Sequence, residues 1–260
     1  MLLAIDIGNT NIKYGIFDKD ELIASFRVSS RLTRTADEYG SVLINLLLTK
    51  SIKKENIDGI IISSVIPSLN YTICHMCEYF FEISPLMIGP GLKTGLNIKT
   101  ENSKEVGADI IVNSVSAYKK YGGPIIVIDF GTATTFDVID KDCSLLGVVI
   151  APGIKTSLEG LVSNTAQLPM IELEAPKSAF GKNTKTAMQA GVVFGFAGLV
   201  DNIVNKIKKS LGLEGIKVVA TGGLGEIISK EVKCINFVDR TLTLEGLRYI
   251  YQLNQTIKEQ

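Results

Sequence analysis

The sequence predicts an α/β protein with two similar halves, and three segments carry this prediction. Residues 2–18, LLAIDIGNTNIKYGIFD, have the pattern of a strand, a sharp turn and a second strand. Residues 125–137, IIVIDFGTATTFD, repeat that pattern, and residues 218–225, VVATGGLG, end a later strand in a glycine cluster. The repetition predicts two like domains, 1–118 and 119–260.

Both hairpins have the composition of a phosphate-binding turn. In each, an apolar run ends in a carboxylate, Asp6 or Asp129, and a glycine follows two residues later, Gly8 or Gly131. Glycine lets the backbone turn and approach a ligand, free N–H and hydroxyl groups bind anionic oxygens, and an aspartate holds a cation. One such hairpin alone is more simply a tight turn with an exposed aspartate. Two copies favour two domains that face each other across one nucleotide.

Length and charge are those of an ordinary soluble enzyme. The 260 residues suffice for two cores, and 27 basic residues balance 27 acidic ones, so neither nucleic acid nor a membrane is an expected partner. The longest apolar stretch, 187–200, is shorter than the roughly 20 residues that cross a bilayer. Four cysteines without a signal peptide predict a reducing cytoplasm.

In the first half, periodicity predicts the element order β-β-β-α-β-α-β. Apolar residues at helical spacing favour the helix 36–49, and the continuous apolar run 59–65 favours a strand buried on both faces. Residues 89–98 have the composition of a glycine-rich connector. The other predicted strands are 2–7, 11–17, 21–29 and 86–88, and a second helix begins at Pro67.

A helix over residues 100–118 is predicted because Asn102 and Glu105 have N-cap and N3 spacing. Asp109 would then lie in its second turn, either as a charge favoured by the helix dipole or as a catalytic group. The position of this helix, directly before the second hairpin, favours the catalytic interpretation. In the second half we predict a strand at 145–150 and helices at 156–161, 186–211 and 243–254.

Three other features have structural and functional interpretations. Cys74-x-x-Cys77 is either a redox or half-zinc motif or a pair of ordinary helix residues, and the second is favoured because no further cysteine or histidine cluster completes a site. His75, the only histidine, has no accompanying nucleophile, which favours a structural role. A stripe of small residues, Gly191, Gly195 and Gly198, predicts close internal packing or a subunit interface.

The order of two carboxylate hairpins and a glycine-ended strand resembles the actin/Hsp70/sugar-kinase (ASKHA) superfold, in which two ribonuclease H-like domains hold a nucleotide in the cleft between them. Individual motifs resemble type III pantothenate kinase more specifically, from residue 1 to about residue 250. These motifs are DIGNTNIK (6–13), PGLKTG (90–95), EVGAD (105–109), DFGTATT (129–135), APG (151–153), TAQLP (165–169), GKNT (181–184) and ATGG (220–223).

This resemblance implies ATP-dependent phosphorylation of pantothenate to 4'-phosphopantothenate, the first step of coenzyme A biosynthesis, by a cytoplasmic homodimer. It implies Mg2+ near Asp6, a monovalent cation (K+ or NH4+) at Asp129, and Asp109 as the general base. The residues implied to bind ATP are Asp6, Ile7, Gly8, Asn9, Thr10, Asn11, Ile12, Lys13 and Thr132. Those implied to bind pantothenate are Thr100, Gly107, Ala108, Asp109, Ile110 and Thr184.

Two positions depart from the family's usual pattern. The family usually has arginine directly after the catalytic aspartate, where this chain has Ile110, and tyrosine where it has Thr100. Losing a bidentate contact to the substrate carboxylate costs on the order of 2 to 5 kcal/mol. Lys99 or Lys104 is a candidate replacement. The alternatives left open are a kinase for another hydroxylated metabolite and a non-enzymatic, nucleotide-binding transcription accessory factor.

Overall fold

The computed structural model describes residues 1–213, 215–223 and 225–258. They form two compact units. The first comprises Met1–Leu96, Glu101–Ser116 and the chain from Thr241 onward, and the second comprises Asn97–Thr100 and Ala117–Arg240. This division differs from the predicted domains, because the last helix lies in the first unit. Leu224, part of the predicted glycine cluster, lies outside the described residues.

The chain alternates strands and helices in both units. The strands are β1 (Leu2–Ile7), β2 (Asn11–Asp18), β3 (Glu21–Ser29), β4 (Gly59–Ser64), β5 (Leu86–Met87), β6 (Asn97–Ile98), β7 (Ile125–Phe130), β8 (Ala133–Ile139), β9 (Ser144–Pro152), β10 (Lys217–Gly222) and β11 (Phe237–Val238). The helices are α1 (Ala36–Leu48), α2 (Pro67–Phe81), α3 (Ala108–Tyr121), α4 (Ile154–Ser163), α5 (Thr184–Leu211), α6 (Gly225–Ser229) and α7 (Leu242–Lys258).

A five-stranded sheet of order β3-β2-β1-β4-β5 organises the first unit. β1 pairs antiparallel with β2 and parallel with β4. Because β1 is apolar except for Asp6, it is buried on both faces. The face with Leu3 and Ile5 packs against α1 and α2, and the face with Leu2 and Ala4 packs against α3 and α7.

Two glycines permit the close packing of α7 in the first unit. A Cβ on Gly59 in β4 would overlap the Tyr251 side chain, and a Cβ on Gly246 would overlap the Val112 carbonyl oxygen of α3. Helix α7 therefore covers a sheet face that would otherwise expose the apolar residues of β1.

The second unit contains a six-stranded sheet of order β11-β10-β7-β8-β9-β6. β7 pairs antiparallel with β8 and parallel with β10, which repeats the arrangement around β1. Its core joins Phe130 and Phe136 of the sheet to Ile154 of α4 and Val193 and Val200 of α5. The predicted second hairpin is present, and α4 and α5 each begin two residues before their predicted starts.

The predicted start of α3 is wrong. Asn102 does cap, since its side chain accepts from the Lys104 N–H, but the turn it caps is a single 3-10 turn at Ser103–Glu105. Val106 is extended, and the α-helix begins at Ala108. Asp109 therefore lies in the first turn of α3, where the helix dipole acts most directly on its charge.

Helix α5 has 28 residues and a mean hydropathy of 1.5, so its length and composition alone would allow it to cross a bilayer. Core helices of soluble proteins pass the same test, and Val193, Val200 and Val204 lie in the core of the second unit. Gly191, Gly195 and Gly198 are exposed, and a Cβ on any of them would contact none of the described residues. The stripe therefore has no role in close internal packing, contrary to the first of the two interpretations.

Candidate active site

The first hairpin, between β1 and β2, forms a tight turn with internal hydrogen bonds. The Gly8 N–H donates to the Asn11 carbonyl oxygen at 3.1 Å. Ser30, directly after β3, donates its hydroxyl to the Gly8 carbonyl oxygen at 2.6 Å and its N–H to the Thr10 carbonyl oxygen at 3.0 Å. Asn9 and Thr10 are exposed. The turn thus presents polar groups on a backbone that is held from the third strand.

Asp6 lies near the end of β1 between two polar neighbours. In the sheet register it is opposite Lys13 of β2 and Ser63 of β4. Asp6 is only 6% exposed, and the Lys13 Nζ lies 3.3 Å from its Oδ2. The carboxylate is therefore buried with one positive charge beside it. Ser63 was not among the residues predicted for the site, although the end of a strand parallel to β1 is where such a residue is expected.

Asp109 folds back against the start of α3. Its Oδ1 accepts from the Ile110 N–H at 2.9 Å, and a Cβ on Gly107 would overlap that same oxygen. Burial raises the pKa of the Asp109 carboxyl above its ordinary value, and the charge of Asp6 raises it further. The Ile110 N–H and the Lys13 ammonium partly oppose this increase in the pKa.

Asp6, Lys13 and Asp109 therefore come together in the first unit. Asp6 projects from the same face of β1 as Leu2 and Ala4, the face that packs against α3, and the charges of Asp6 and Lys13 both shift the pKa of Asp109. A buried carboxyl with a raised pKa beside an ion pair is a common feature of functional sites. Chemically, the cluster offers a proton acceptor, a second carboxylate and an ammonium group.

The second hairpin, between β7 and β8, is held by hydrogen bonds from the start of α4. The Gly131 N–H donates to the Ala133 carbonyl oxygen at 3.0 Å. The Thr132 carbonyl oxygen accepts from the Gly153 N–H at 3.1 Å and from the Thr156 hydroxyl at 2.8 Å. A Cβ on Gly153 would overlap the Thr132 carbonyl oxygen. The start of α4 therefore packs directly on the turn that contains Thr132.

Asp129 is half-buried at the end of β7. Opposite it in the sheet register are Thr135 of β8 and Thr221 of β10. Gly222 has a φ of 95°, and a Cβ there would lie 2.7 Å from the Asp129 Oδ1. Position 222 thus requires glycine for two reasons, the positive φ of its backbone and the closeness of the Asp129 carboxylate. The ATGG motif therefore contacts Asp129 directly.

The residues predicted to bind pantothenate fall in both units. Gly107, Ala108 and Ile110 surround Asp109 in the first unit, whereas Thr100 and Thr184 belong to the second. Ile110 is 9% exposed and packs as a core residue. Thr184 is exposed as the first residue of α5.

Lys99, one of the two candidate replacements for the arginine, forms an ion pair with Asp140 at 3.2 Å. A cavity of about 380 Å³ is lined by residues that precede and follow Thr184 in the chain. The lining includes Lys177, Phe180 and Lys182. Lys177 and Lys182 form no ion pair with any residue of the described ranges. They are further candidates to bind an acid.

The features that favoured structural interpretations, His75 and the Cys74–Cys77 pair, all lie on α2. His75 lies on the exposed face of α2 and stacks on Tyr71 with ring centroids 6.0 Å apart. Burial raises the pKa of the Cys74 and Cys77 thiols, which disfavours the thiolate needed for redox or zinc chemistry. Among the residues that the structure describes, no group of three metal-binding side chains is found.

Several solved structures have folds similar to that of this chain. A Campylobacter jejuni protein assigned to the Baf family of transcriptional activators matches with a TM-score of 0.62 and 20% identity, covering 98% of this chain and 99% of that one. A Sinorhizobium meliloti protein assigned as a 2-dehydro-3-deoxygalactonokinase matches with a TM-score of 0.58 and 13% identity, covering 97% and 96%. Component A of the Acidaminococcus fermentans (R)-2-hydroxyglutaryl-CoA dehydratase matches with a TM-score of 0.51 and 14% identity, covering 96% of each chain.

These identities establish the fold alone, which is that of the ASKHA superfold, as the sequence predicted. The family is established separately. The model for type III pantothenate kinase matches residues 2–206, and the chain belongs to this family. Membership supports an ATP-dependent kinase of a small molecule.

Proposed function

We propose that the protein is a pantothenate kinase that transfers the γ-phosphoryl group of ATP to the terminal primary hydroxyl of pantothenate. The observation that carries this proposal is the cluster of Asp6, Lys13 and Asp109 in a chain of this family. The product would be 4'-phosphopantothenate, so the enzyme would act at the first step of coenzyme A biosynthesis in the cytoplasm.

Asp109 is the general base in this proposal. Phosphoryl transfer needs little covalent chemistry from the protein, so positioning and neutralisation of charge dominate the rate. A carboxylate whose pKa is raised by burial is a stronger base than an exposed one, which suits it to accept the proton of the attacking hydroxyl. The Ile110 N–H and Gly107 hold this carboxylate in one orientation.

Residues 6–13 and Thr132 would contact ATP, and Asp6 would hold Mg2+. The side chains fit this ion, since Mg2+ keeps several waters and is commonly bound by one or two carboxylates together with substrate phosphates. Asp6 is a single buried carboxylate, and no three-ligand cage occurs in the described part of the chain. Mg2+ would supply charge neutralisation at the phosphates, and Lys13 would add a second positive charge.

Asp129 would hold the monovalent cation, K+ or NH4+. No lysine or arginine occurs from residue 122 to residue 139, so no basic side chain nearby in sequence can neutralise phosphate charge there. Carboxylate and hydroxyl oxygens are suitable ligands for such an ion, and Thr135 and Thr221 are the register neighbours of Asp129.

A homodimer is the proposed assembly. The second unit exposes large apolar side chains, including Ile150 at 69% and Phe180 at 70%, together with the glycine stripe of α5. A stripe of small residues on a helix permits a second helix to approach closely, and the exposed apolar side chains elsewhere in the unit are surface that an interface could bury. Sedimentation would show a dimer that Gly195→Leu weakens, and a monomeric parent chain would refute this assembly.

A kinase for another small hydroxylated metabolite is the second candidate, and Ile110 is the observation that favours it. The side chain after Asp109 is aliphatic and buried, so it offers no charge to a substrate carboxylate. Under the first candidate, a cationic group other than the residue after Asp109 would bind the carboxylate.

The test is ATP consumption with and without pantothenate, in Mg2+ and K+, with the product identified by mass. Pantothenate-dependent consumption that yields 4'-phosphopantothenate supports the first candidate. Consumption only with another hydroxylated acid or sugar supports the second. A chain that binds ATP but transfers no phosphoryl group to any acceptor would contradict both and favour an accessory factor.

A further inference from the structure

Ser63 is a buried residue without an evident structural role. It lies in β4 and is 0% exposed. Its Oγ has no hydrogen-bond partner among the residues that the structure describes. The next residue differs, because the Ser64 hydroxyl bonds to the backbone of Ile66 at 3.1 and 3.3 Å. A buried hydroxyl without a partner destabilises a fold, so a ligand is a reasonable partner for Ser63.

The neighbour of Ser63 in the sheet is Asp6. The two residues are register partners on the parallel strands β1 and β4. Adjacent strands lie roughly 4.8 Å apart, and register partners project from the same face of a sheet. Lys13 is the register partner of Asp6 on its other side. Asp6 is thus flanked on one sheet face by an ammonium group and a hydroxyl.

The second unit repeats this placement. Thr221 of β10 is the register partner of Asp129, as Ser63 is of Asp6. Thr221 is 2% exposed, so both units bury a hydroxyl residue beside the aspartate of the hairpin. An isolated packing defect would not explain a hydroxyl at the same register position in two separate sheets.

We propose that Ser63 is a positioning residue for a hydrated divalent cation held at Asp6 together with the nucleotide phosphates. This inference rests on the proposed use of Mg2+ and ATP. An ammonium group only donates hydrogen bonds, so Lys13 cannot accept one from the water shell of a cation. The Ser63 hydroxyl can accept such a bond and donate another, which would orient the hydrated ion relative to Asp6. Residues of this kind commonly change metal affinity by about 10- to 100-fold.

The test compares Ser63→Ala with Ser114→Ala. Ser114 is the matched control, since it is also 0% exposed and its Oγ has no partner among the described residues. It lies on α3 five residues after Asp109 and therefore projects from a different face of that helix than Asp109 does. Calorimetry with a non-hydrolysable ATP analogue, in Mg2+ and in EDTA, measures the affinity that depends on metal. Thermal unfolding without ligand measures the fold.

For Ser63→Ala we expect about tenfold weaker analogue binding in Mg2+, no change in EDTA and an unfolding temperature at or above that of the parent. Ser63→Thr, which keeps a hydroxyl as at Thr221, should retain the Mg2+-dependent affinity of the parent. Ser114→Ala should match the parent in analogue affinity, both in Mg2+ and in EDTA, and should also unfold at or above the parental temperature. Ser63→Cys retains the volume of the side chain without a strong hydrogen-bonding group and should reproduce the result of Ser63→Ala. If Ser63→Ala does not fold, Ser63→Cys is used in its place.

Equal weakening in Mg2+ and EDTA, or parental affinity in both, would overturn the role of Ser63 while leaving the proposed kinase intact. A fall in the unfolding temperature of the ligand-free alanine variant would show that the hydroxyl is structural. A parent chain whose analogue affinity is the same with and without Mg2+ would overturn both this inference and the proposed metal use.

Discussion

The two carboxylate hairpins share a backbone design but differ in the charge beside the aspartate. In the first unit, Lys13 is opposite Asp6 and forms an ion pair with it. In the second unit, Thr135 occupies the corresponding position opposite Asp129. Asp6 is buried, whereas Asp129 is half-buried. The same fold therefore places an ammonium group opposite the aspartate of the first hairpin and a hydroxyl side chain opposite that of the second.

This difference indicates how a duplicated architecture can perform two tasks. The first hairpin has a fixed positive charge and lies in the unit that also holds Asp109, which suits it to the reacting end of a nucleotide. Residues 125–139, which form the second hairpin, contain no lysine or arginine, and under the proposed function an ion from solution would screen phosphate there. The comparison can be tested by removing the proposed base Asp109, by placing an ammonium group opposite Asp129, and by adding a positive charge beside Asp109.

The largest effect is expected from Asp109→Asn, which removes the base while retaining an acceptor for the Ile110 N–H. Turnover should fall by roughly 10² to 10⁴, the range for loss of a general base. Affinity for ATP should change little, because the ATP-binding hairpin is intact. Steady-state kinetics and calorimetry measure both quantities. A variant that turns over at the parental rate would show that Asp109 is only a charge at a helix start.

The second prediction concerns the cation at the second hairpin. Activity should rise with K+ or NH4+, and Asp129→Ala should abolish this activation, with a loss of about 10² in rate. Thr135→Lys places an ammonium group in the register position that Lys13 occupies in the first unit, so this variant should retain activity without K+. Rates are compared in K+ and in a bulky organic cation.

Thr135→Met is the control for Thr135→Lys, because it adds length without charge and should remain dependent on K+. If the parent enzyme works equally well in K+ and in the organic cation, the monovalent site does not exist.

The third prediction concerns Ile110. If pantothenate is the substrate, Ile110→Arg should lower the KM for pantothenate about tenfold, because one charge-assisted hydrogen bond contributes on the order of 1.5 to 3 kcal/mol. Turnover should change less, since the carboxylate is remote from the transferred group. Ile110→Met controls for the loss of the branched side chain, and thermal unfolding of both variants checks that the fold tolerates the change at this buried position. A parent that already saturates at micromolar pantothenate, and is made worse by the arginine, would show that another group binds the acid.

The smallest effect is expected in stability as a function of pH. Burial raises the pKa of Asp109 in the folded chain above its ordinary value of 3.8, so its ionisation destabilises the fold. The stability contributed by this group is lost as pH rises from the unfolded pKa through the folded pKa. Asp109→Asn should therefore unfold at a higher temperature than the parent at pH 7, with a smaller difference near pH 4. An equal difference at both pH values would contradict this linkage.

The local pattern of the sequence was sufficient for most elements. The bounds of β1 and β3 were predicted correctly because apolar runs and turns define them within a few residues. The Asp-x-Gly hairpins were found for the same reason. The start of α3 was missed because a capping signal at Asn102 also suits a short 3-10 turn. The two-residue strands β6 and β11 were not predicted, since they are too short to show alternation.

The sequence by itself determined where strands, helices and phosphate-binding turns occur, because periodicity and turn chemistry depend on neighbours along the chain. Only the tertiary structure decided that α7 covers the first sheet, that Asp109 lies near Asp6 and Lys13, and that Ser63 is beside Asp6. These arrangements depend on which apolar faces bury each other and on strand register between segments far apart in sequence. Neither quantity is encoded in a local pattern of residues.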